Sequence, residues 1–171
     1  YLVPGSPLQQ RVRDSVQRFV GPAHGKRELP MGIDGCSAPN YAMPLSALAH
    51  AFCQLALGAT PALAALRYAM TRHPDLVSGT GRSDLALMRA GRCANTGDDG
   101  IDGDWVTKIG ADGVQAIGIA SRGLGIAIRV ADGNTRALLA ATVEVLRQLK
   151  LIDDPATTPL GRYARARVTD H

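Results

Sequence analysis

Between Gly32 and Cys36 the chain reads GIDGC, which places a carboxylate at Asp34 and a thiol at Cys36, two residues apart. Glycines flank the aspartate, and prolines at 39 and 44 close the stretch, so it suits a tight loop or short strand and not a helix. A packing role would need only a small apolar residue at position 36. A chemical role needs the sulfur to face a site as a thiolate, the form that attacks carbon or binds metal. The second candidate is Lys108, in the run VTKIG, near the end of an apolar strand and just before a glycine. A strand lysine ordinarily points to water. A cation, a spacer and a glycine on an edge strand would instead set an ammonium beside backbone that a substrate can approach.

Other chemistries find less support. Asp98, Asp99, Asp102 and Asp104 alternate with glycine as in a calcium loop, but the EF-hand order and its Glu at the twelfth position are missing, so a flexible acidic loop is expected. Neither CxxC nor HExxH occurs, and the chain alone encodes no closed zinc site, although folding could bring Cys36 and Cys93 together. A cysteine nucleophile would have to use His24, His50 or His73. No spacing favours such a pair, and His50 falls in an apolar helix where a core histidine is the plainer expectation. There is no G-x-S-x-G and no S-x-x-K, and the lysines are Lys26, Lys108 and Lys150.

The elements that must position these residues follow from composition and pattern. The 171 residues suit one domain, and with 46% hydrophobic but only 4% aromatic residues the core must be built from Ala, Leu, Val and Ile. The net charge of +4 is mild and the arginines are scattered, which argues against a nucleic-acid surface. Arg162, Arg165 and Arg167 form the one dense basic run, read as part of a solvated tail. Three cysteines, an odd number, in a chain too large to need disulfides point to a reducing, cytoplasmic setting. No signal peptide is visible. The apolar stretch from Leu45 to Met70 is broken by polar residues and Pro61, and reads as two core helices, not a membrane span. A start at Tyr1 suggests a piece of something longer.

Ser6-Pro7-Leu8-Gln9 is an S-x-x-Q capping box that opens a helix carrying Leu8, Val12, Val16, Phe19 and Val20. Pro44 to Leu57 predicts a second helix, apolar on nearly every side and so expected to be buried on most of them. Thr60-Pro61 starts a third, and Arg82 to Ala90 suits a short fourth. Three β-type runs follow, Trp105 to Ile109, Val114 to Ala120 and Leu124 to Val130, with a turn at Ser121-Arg122-Gly123. A last helix bears Leu138, Leu139, Val143, Leu146 and Leu149 on one stripe and should cover the sheet. The expected class is α+β, an antiparallel sheet with packed helices. The domain is expected over 1–152, with 153–171 a tail.

Three stretches occur in order: GIDGCSAPNYAMPLSALAHAF, then HPDLVSGTGRSDLALM, then KIGADGVQAIG leading into GLGIAIRVADGNTRA. Together they resemble the C-terminal half of the L-asparaginase II family (Rhizobium etli type), with its D-G-C-[GS]-x-P, H-P-x-x-V-x-G-x-x-R-x-D, K-x-G-A-E-G and D-G-x-x-R-A stretches. SPLQQRV resembles the H-P-x-Q helix that precedes DGC. The resemblance covers about residues 1 to 150. KIG also has the shape of the K-[TS]-G motif of penicillin-binding enzymes.

The resemblance implies a fold like that of serine β-lactamases and glutaminases, and hydrolysis of the side-chain amide of L-asparagine to L-aspartate and ammonia by a Ser–Lys scheme. It implies that Lys108 is the catalytic lysine, that Cys36 is a zinc ligand with Asp34 its neighbouring carboxylate, and that Gly110 and Asp112 border the substrate, Asp112 standing where the family usually has Glu. The family's S-x-x-K and C-S-G-K-H stretches belong to an N-terminal half without a counterpart here. The expectation is therefore a truncated asparaginase with an incomplete zinc site, whose partners are a small amide and either a separate N-terminal half or a second copy of the chain. The alternative is a non-catalytic module for binding or assembly. Neither reading involves nucleic acid or a membrane.

Overall fold

A computed structural model describes residues 1–20, 29–94 and 103–164. The first helix, α1 (Pro7–Val20), starts where its capping box predicts but forms half of it: the Ser6 hydroxyl accepts the Gln9 backbone N–H at 3.3 Å, while the Ser6 N–H donates to the Val3 carbonyl and the Gln9 side chain donates to the Tyr1 carbonyl. The GIDGC stretch is both strand and loop. β1 (Met31–Ile33) and β2 (Pro39–Tyr41) pair antiparallel, Met31 opposite Tyr41 and Ile33 opposite Pro39, and residues 34–38 join them.

Two helices follow, α2 (Leu45–Leu57) and α3 (Pro61–Arg72), with Gly58 in a left-handed conformation (φ 60°) between them. Thr60 caps α3 by accepting the Leu63 N–H at 3.3 Å. The two helices meet at 84°, and no single described helix is long and apolar enough to cross a membrane. Just past the end of α3, Pro74 opens a short helix, α4 (Pro74–Ser78), because proline suits the first turn. The next helix, α5 (Ser83–Ala94), runs four residues beyond the expected end.

β3 (Trp105–Gly110), β4 (Val114–Ile119) and β5 (Leu124–Arg129) form an antiparallel meander in that order, so β3 is an edge strand as expected. α6 (Thr135–Gln148) follows, its start capped by the Asn134 side chain. Among the described residues the class is thus α+β, with six α-helices packed against two small antiparallel sheets.

Helices cover both faces of the meander. On one face Gly118 and Gly125 lie opposite each other in register. The Phe52 and Ala49 carbonyl oxygens of α2 sit where side chains at those two positions would be. Without Cβ atoms the backbone of α2 rests directly on the sheet. On the other face Trp105, Ile117, Ile119 and Ile126 form the main core with Ala86, Leu87 and Ala90 of α5 and Val143 and Leu146 of α6.

Three expectations need correction. Only Ala47, Leu55 and Ala56 of α2 are fully buried, because the helix lies on one sheet face and turns its other side outward; His50 is exposed and is no core histidine. Asp104 belongs to no open acidic loop: it is buried and accepts the Ser121 N–H and hydroxyl, each at 2.7 Å, pinning the β4–β5 turn to the start of β3. The segment after Asp153 folds back through two 3₁₀ turns, Pro155–Thr157 and Gly161–Tyr163, and buries Leu160 completely in the main core, so as far as residue 164 it is no solvated tail. Arg165 and Arg167, Cys93 in its side-chain contacts, His24 and Asp98, Asp99 and Asp102 lie outside the described residues.

Candidate functional site

The edge strand and the turn between α4 and α5 meet at one carboxylate. Ser78 ends α4; Gly79 (φ 96°) and Gly81 (φ 79°) reverse the chain in conformations that L side chains rarely adopt; Ser83 starts α5. This puts Asp84 in the first turn of α5, where the positive end of the helix dipole favours an anion. Its side chain is fully buried. Oδ1 accepts the Thr107 hydroxyl at 2.6 Å and the Gln115 amide at 3.1 Å, and Oδ2 accepts the Ser78 hydroxyl at 2.5 Å and the Ile109 backbone N–H at 3.1 Å. Burial pushes this carboxyl up, but the hydrogen bonds from Ser78, Thr107, Ile109 and Gln115 outweigh it and leave Asp84 ionising below the usual carboxylate value.

Lys108 stands beside this network. Its side chain is 47% exposed, its ammonium is 3.8 Å from Asp84 Oδ2, and it donates to the Ile109 carbonyl at 2.6 Å. An open cleft of about 460 Å³ begins here, lined by Gly81, Arg82 and Ser83 before α5, by the strand end and turn from Lys108 to Gly113, and by Thr135, Leu139 and Tyr163. The β3–β4 turn that forms one wall has Asp112 at φ 55° and Gly113 at φ 72°; a Cβ on Gly113 would lie 2.9 Å from the Gly133 backbone, so the turn is locked against the one that precedes α6. Tyr163 lines the other side, and its neighbour Arg162 donates to the Gly81 carbonyl at 2.8 Å from outside the cleft. The structure thus brings Lys108, Gly110 and Asp112 to one cleft, with Arg82 as a second cation.

Asp34 and Cys36 do not line that cleft. In the β1–β2 loop, Asp34 Oδ1 accepts the Cys36 N–H at 2.8 Å and the Ala38 N–H at 3.1 Å, so the carboxylate holds its own turn in shape. The left-handed residue of this turn is Ser37 (φ 65°), whereas Gly32 and Gly35 adopt no positive φ; the glycines are not what bends the chain. The Cys36 thiol is free and exposed. Zinc needs about four ligands. Among the described residues no three His, Cys, Asp or Glu side chains gather to hold a metal, and Asp34 already spends an oxygen on the loop. The residues described here do not fit a zinc ion by themselves.

Asp84 closes the H-P-x-x-V-x-G-x-x-R-x-D stretch, yet the sequence assigned it no role, and Thr107 went unmarked. By itself, an aspartate next to a serine at a helix start signals only a cap. A usable hint lay in the threonine beside Lys108: inside an apolar strand, a buried hydroxyl needs a partner.

The site and fold define a class: an α+β protein with helices on both faces of an antiparallel meander and a cleft lined by two cations at its edge strand. The chain belongs to the L-asparaginase II family, whose family model matches residues 1–171, and so includes the last twenty residues that the motif resemblance left out. No curated protein matches the chain.

Proposed function

We propose that the chain works as part of an L-asparaginase-like amidohydrolase that converts L-asparagine to L-aspartate and ammonia. Membership of the family supports an amide substrate. The observation that carries the reading is the cleft at the end of β3, where Lys108, Gly110 and Asp112 converge with Arg82. Two cations suit a substrate that bears a carboxylate, and the Lys108 ammonium can orient an amide or share the proton of a nucleophile. The KIG strand at the edge of a meander followed by a covering helix supports a fold of the serine β-lactamase and glutaminase type.

In an acyl-transfer scheme a serine attacks the amide carbon, ammonia leaves, and water releases aspartate from the acyl-enzyme. These residues contain no S-x-x-K. The reading therefore gives this chain the lysine and the substrate cleft, but not the nucleophile, as in a truncated form. Zinc enters it only through Cys36 with Asp34 as neighbour, with further ligands supplied from elsewhere, and no step is routed through it. A cytoplasmic setting accords with the free thiols.

A second reading, a non-catalytic module for binding or assembly, draws on the exposed apolar side chains of Met31, Ile33, Leu66, Tyr68 and Leu76. The test is ammonia release from L-asparagine, with and without a supplied S-x-x-K segment of the family, for the native chain and Lys108→Ala. Activity that needs the segment and vanishes in Lys108→Ala supports the enzyme reading. No ammonia from the chain in either condition favours the module. Activity without the segment, lost in Lys108→Ala, would mean that a serine of this chain is the nucleophile.

A further inference from the structure

Four neutral donors occupy Asp84, two on each oxygen. A carboxylate offers about four lone-pair sites, so this one has none left for Lys108. The ammonium stands at 3.8 Å from Oδ2, beyond hydrogen-bond range, and donates instead to the Ile109 carbonyl. Lys108 therefore faces Asp84 at ion-pair distance with no hydrogen bond between them. Sealing the outer edge of β3 would need only a neutral acceptor for the Ile109 N–H. Burying an ion there carries a desolvation cost; the start of α5 and the four donors offset it, and beyond them a negative charge attracts Lys108, which stands beside it, as a neutral acceptor would not.

We propose that Asp84 is a positioning residue for Lys108: bound by Ser78, Thr107, Gln115 and the Ile109 N–H, it fixes segment 107–109 and holds the Lys108 ammonium at the cleft mouth while leaving the donors not bonded to the Ile109 carbonyl available to substrate. This rests on the reading that Lys108 works in the cleft, and the readout below needs no substrate. Asp84 itself is fully buried and does not line the cleft, so it acts through Lys108.

The chain has three lysines, Lys26, Lys108 and Lys150, and lysine labelled with ¹³C at Cε gives one resolvable signal from each. In the native chain the two Hε protons of Lys108 are expected to be inequivalent and its Cε transverse relaxation fast beside Lys150, which is exposed. Asp84→Asn keeps the size and removes the charge; the Hε signals of Lys108 should merge and its relaxation approach that of Lys150. An unchanged Lys108 signature in folded Asp84→Asn overturns the proposal. Ser78→Ala decides the matter if Asp84→Asn does not fold. It frees a lone pair on Oδ2, the ammonium should close in, and Lys108 order should rise; equal or lower order overturns the proposal, since a purely structural carboxylate would only loosen. Lys108→Ala separates this from the proposed function. A Lys108 signature that responds to Asp84→Asn, together with ammonia release indifferent to Lys108→Ala, leaves Asp84 as the anchor of Lys108 and removes the lysine from the reaction.

Discussion

The hydroxyl of Thr107 donates to Asp84 at 2.6 Å, and both side chains are closed to solvent. The bond joins the edge strand to the helix that follows α4 and links two stretches 23 residues apart in the chain. The HPDLVSGTGRSD turn and the KIG strand are thus one structural unit, with Gln115 of β4 bonded to both Asp84 and Thr107.

This unit makes stability depend on acid. Asp84 ionises below its ordinary value in the folded chain, whereas in the unfolded chain an aspartate titrates near about 3.9. Between those two values the unfolded chain binds a proton that the folded chain refuses, so stability rises with pH there. The stabilisation is complete above about 4 and is lost as pH falls through the folded value. Urea unfolding measured from neutral pH down to the acid limit should show this segment of slope in the native chain and lack it in Asp84→Asn. The same slope in both would assign it to other carboxylates.

Gly118 and Gly125 predict where the sheet cannot accept a side chain. A methyl at either position meets a carbonyl of α2, Phe52 for Gly118 and Ala49 for Gly125, and backbone cannot swing aside as a flexible side chain can. Each glycine-to-alanine change should destabilise by about 1–3 kcal/mol or more, the range for overpacking. Gly32→Ala is the control, since nothing lies within 4 Å of its missing Cβ; it should stay within about 0.5 kcal/mol of native. Equal denaturation midpoints for all three would show that α2 does not rest on the sheet.

The β1–β2 loop leaves Cys36 open, while Cys53 is half-buried and donates to the Gly123 carbonyl at 3.1 Å. Thiol reactivity follows access to the sulfur, so Cys36 should react with an aromatic disulfide about ten-fold faster or more than Cys53. A Cys93→Ser background keeps the count to two. Comparable rates at the two thiols would mean that Cys36 is covered in solution.

The sequence reveals what depends on local pattern. The capping box at Ser6, the N-cap at Thr60, the apolar stripe Leu138–Val143–Leu146 and the alternation of β3 to β5 are set by neighbours within a turn, and these elements form nearly where their patterns end. Lys108 was legible for the same reason, as a cation before a glycine on an edge strand. Asp84 was not: its role depends on Ser78, Thr107, Ile109 and Gln115, which only folding gathers around it. Asp34 misled in the opposite direction. An aspartate two residues before a cysteine resembles a metal pair, yet the same spacing is what a side chain needs to accept the amides of its own turn.

Leu160 tests the part of the fold that the sequence hid most completely. Its surroundings (Pro155, Thr158, Gly161 and charged neighbours) look like a solvated end, and no periodicity marks the leucine as core. The structure buries it with no exposed surface, in the cluster that holds Trp105, Ile117 and Leu146. The segment is held there by its own short turns: Asp154 caps the first by accepting the Ala156 N–H at 2.9 Å, and Arg162 reaches the Gly81 carbonyl at the cleft rim. Truncating a buried leucine to alanine removes its transfer energy and leaves a cavity, together about 2–5 kcal/mol. Leu160→Ala should therefore lower the urea midpoint strongly with an unchanged m-value. Thr157→Ser, at an exposed position of the same segment and with the hydroxyl kept, should not. Because the same segment carries Tyr163 to the cleft and ties Arg162 to Gly81 at its rim, Leu160→Ala should also loosen the Lys108 site. A midpoint equal to that of the native chain would return residues 153–164 to the status of a tail and remove one wall of the cleft.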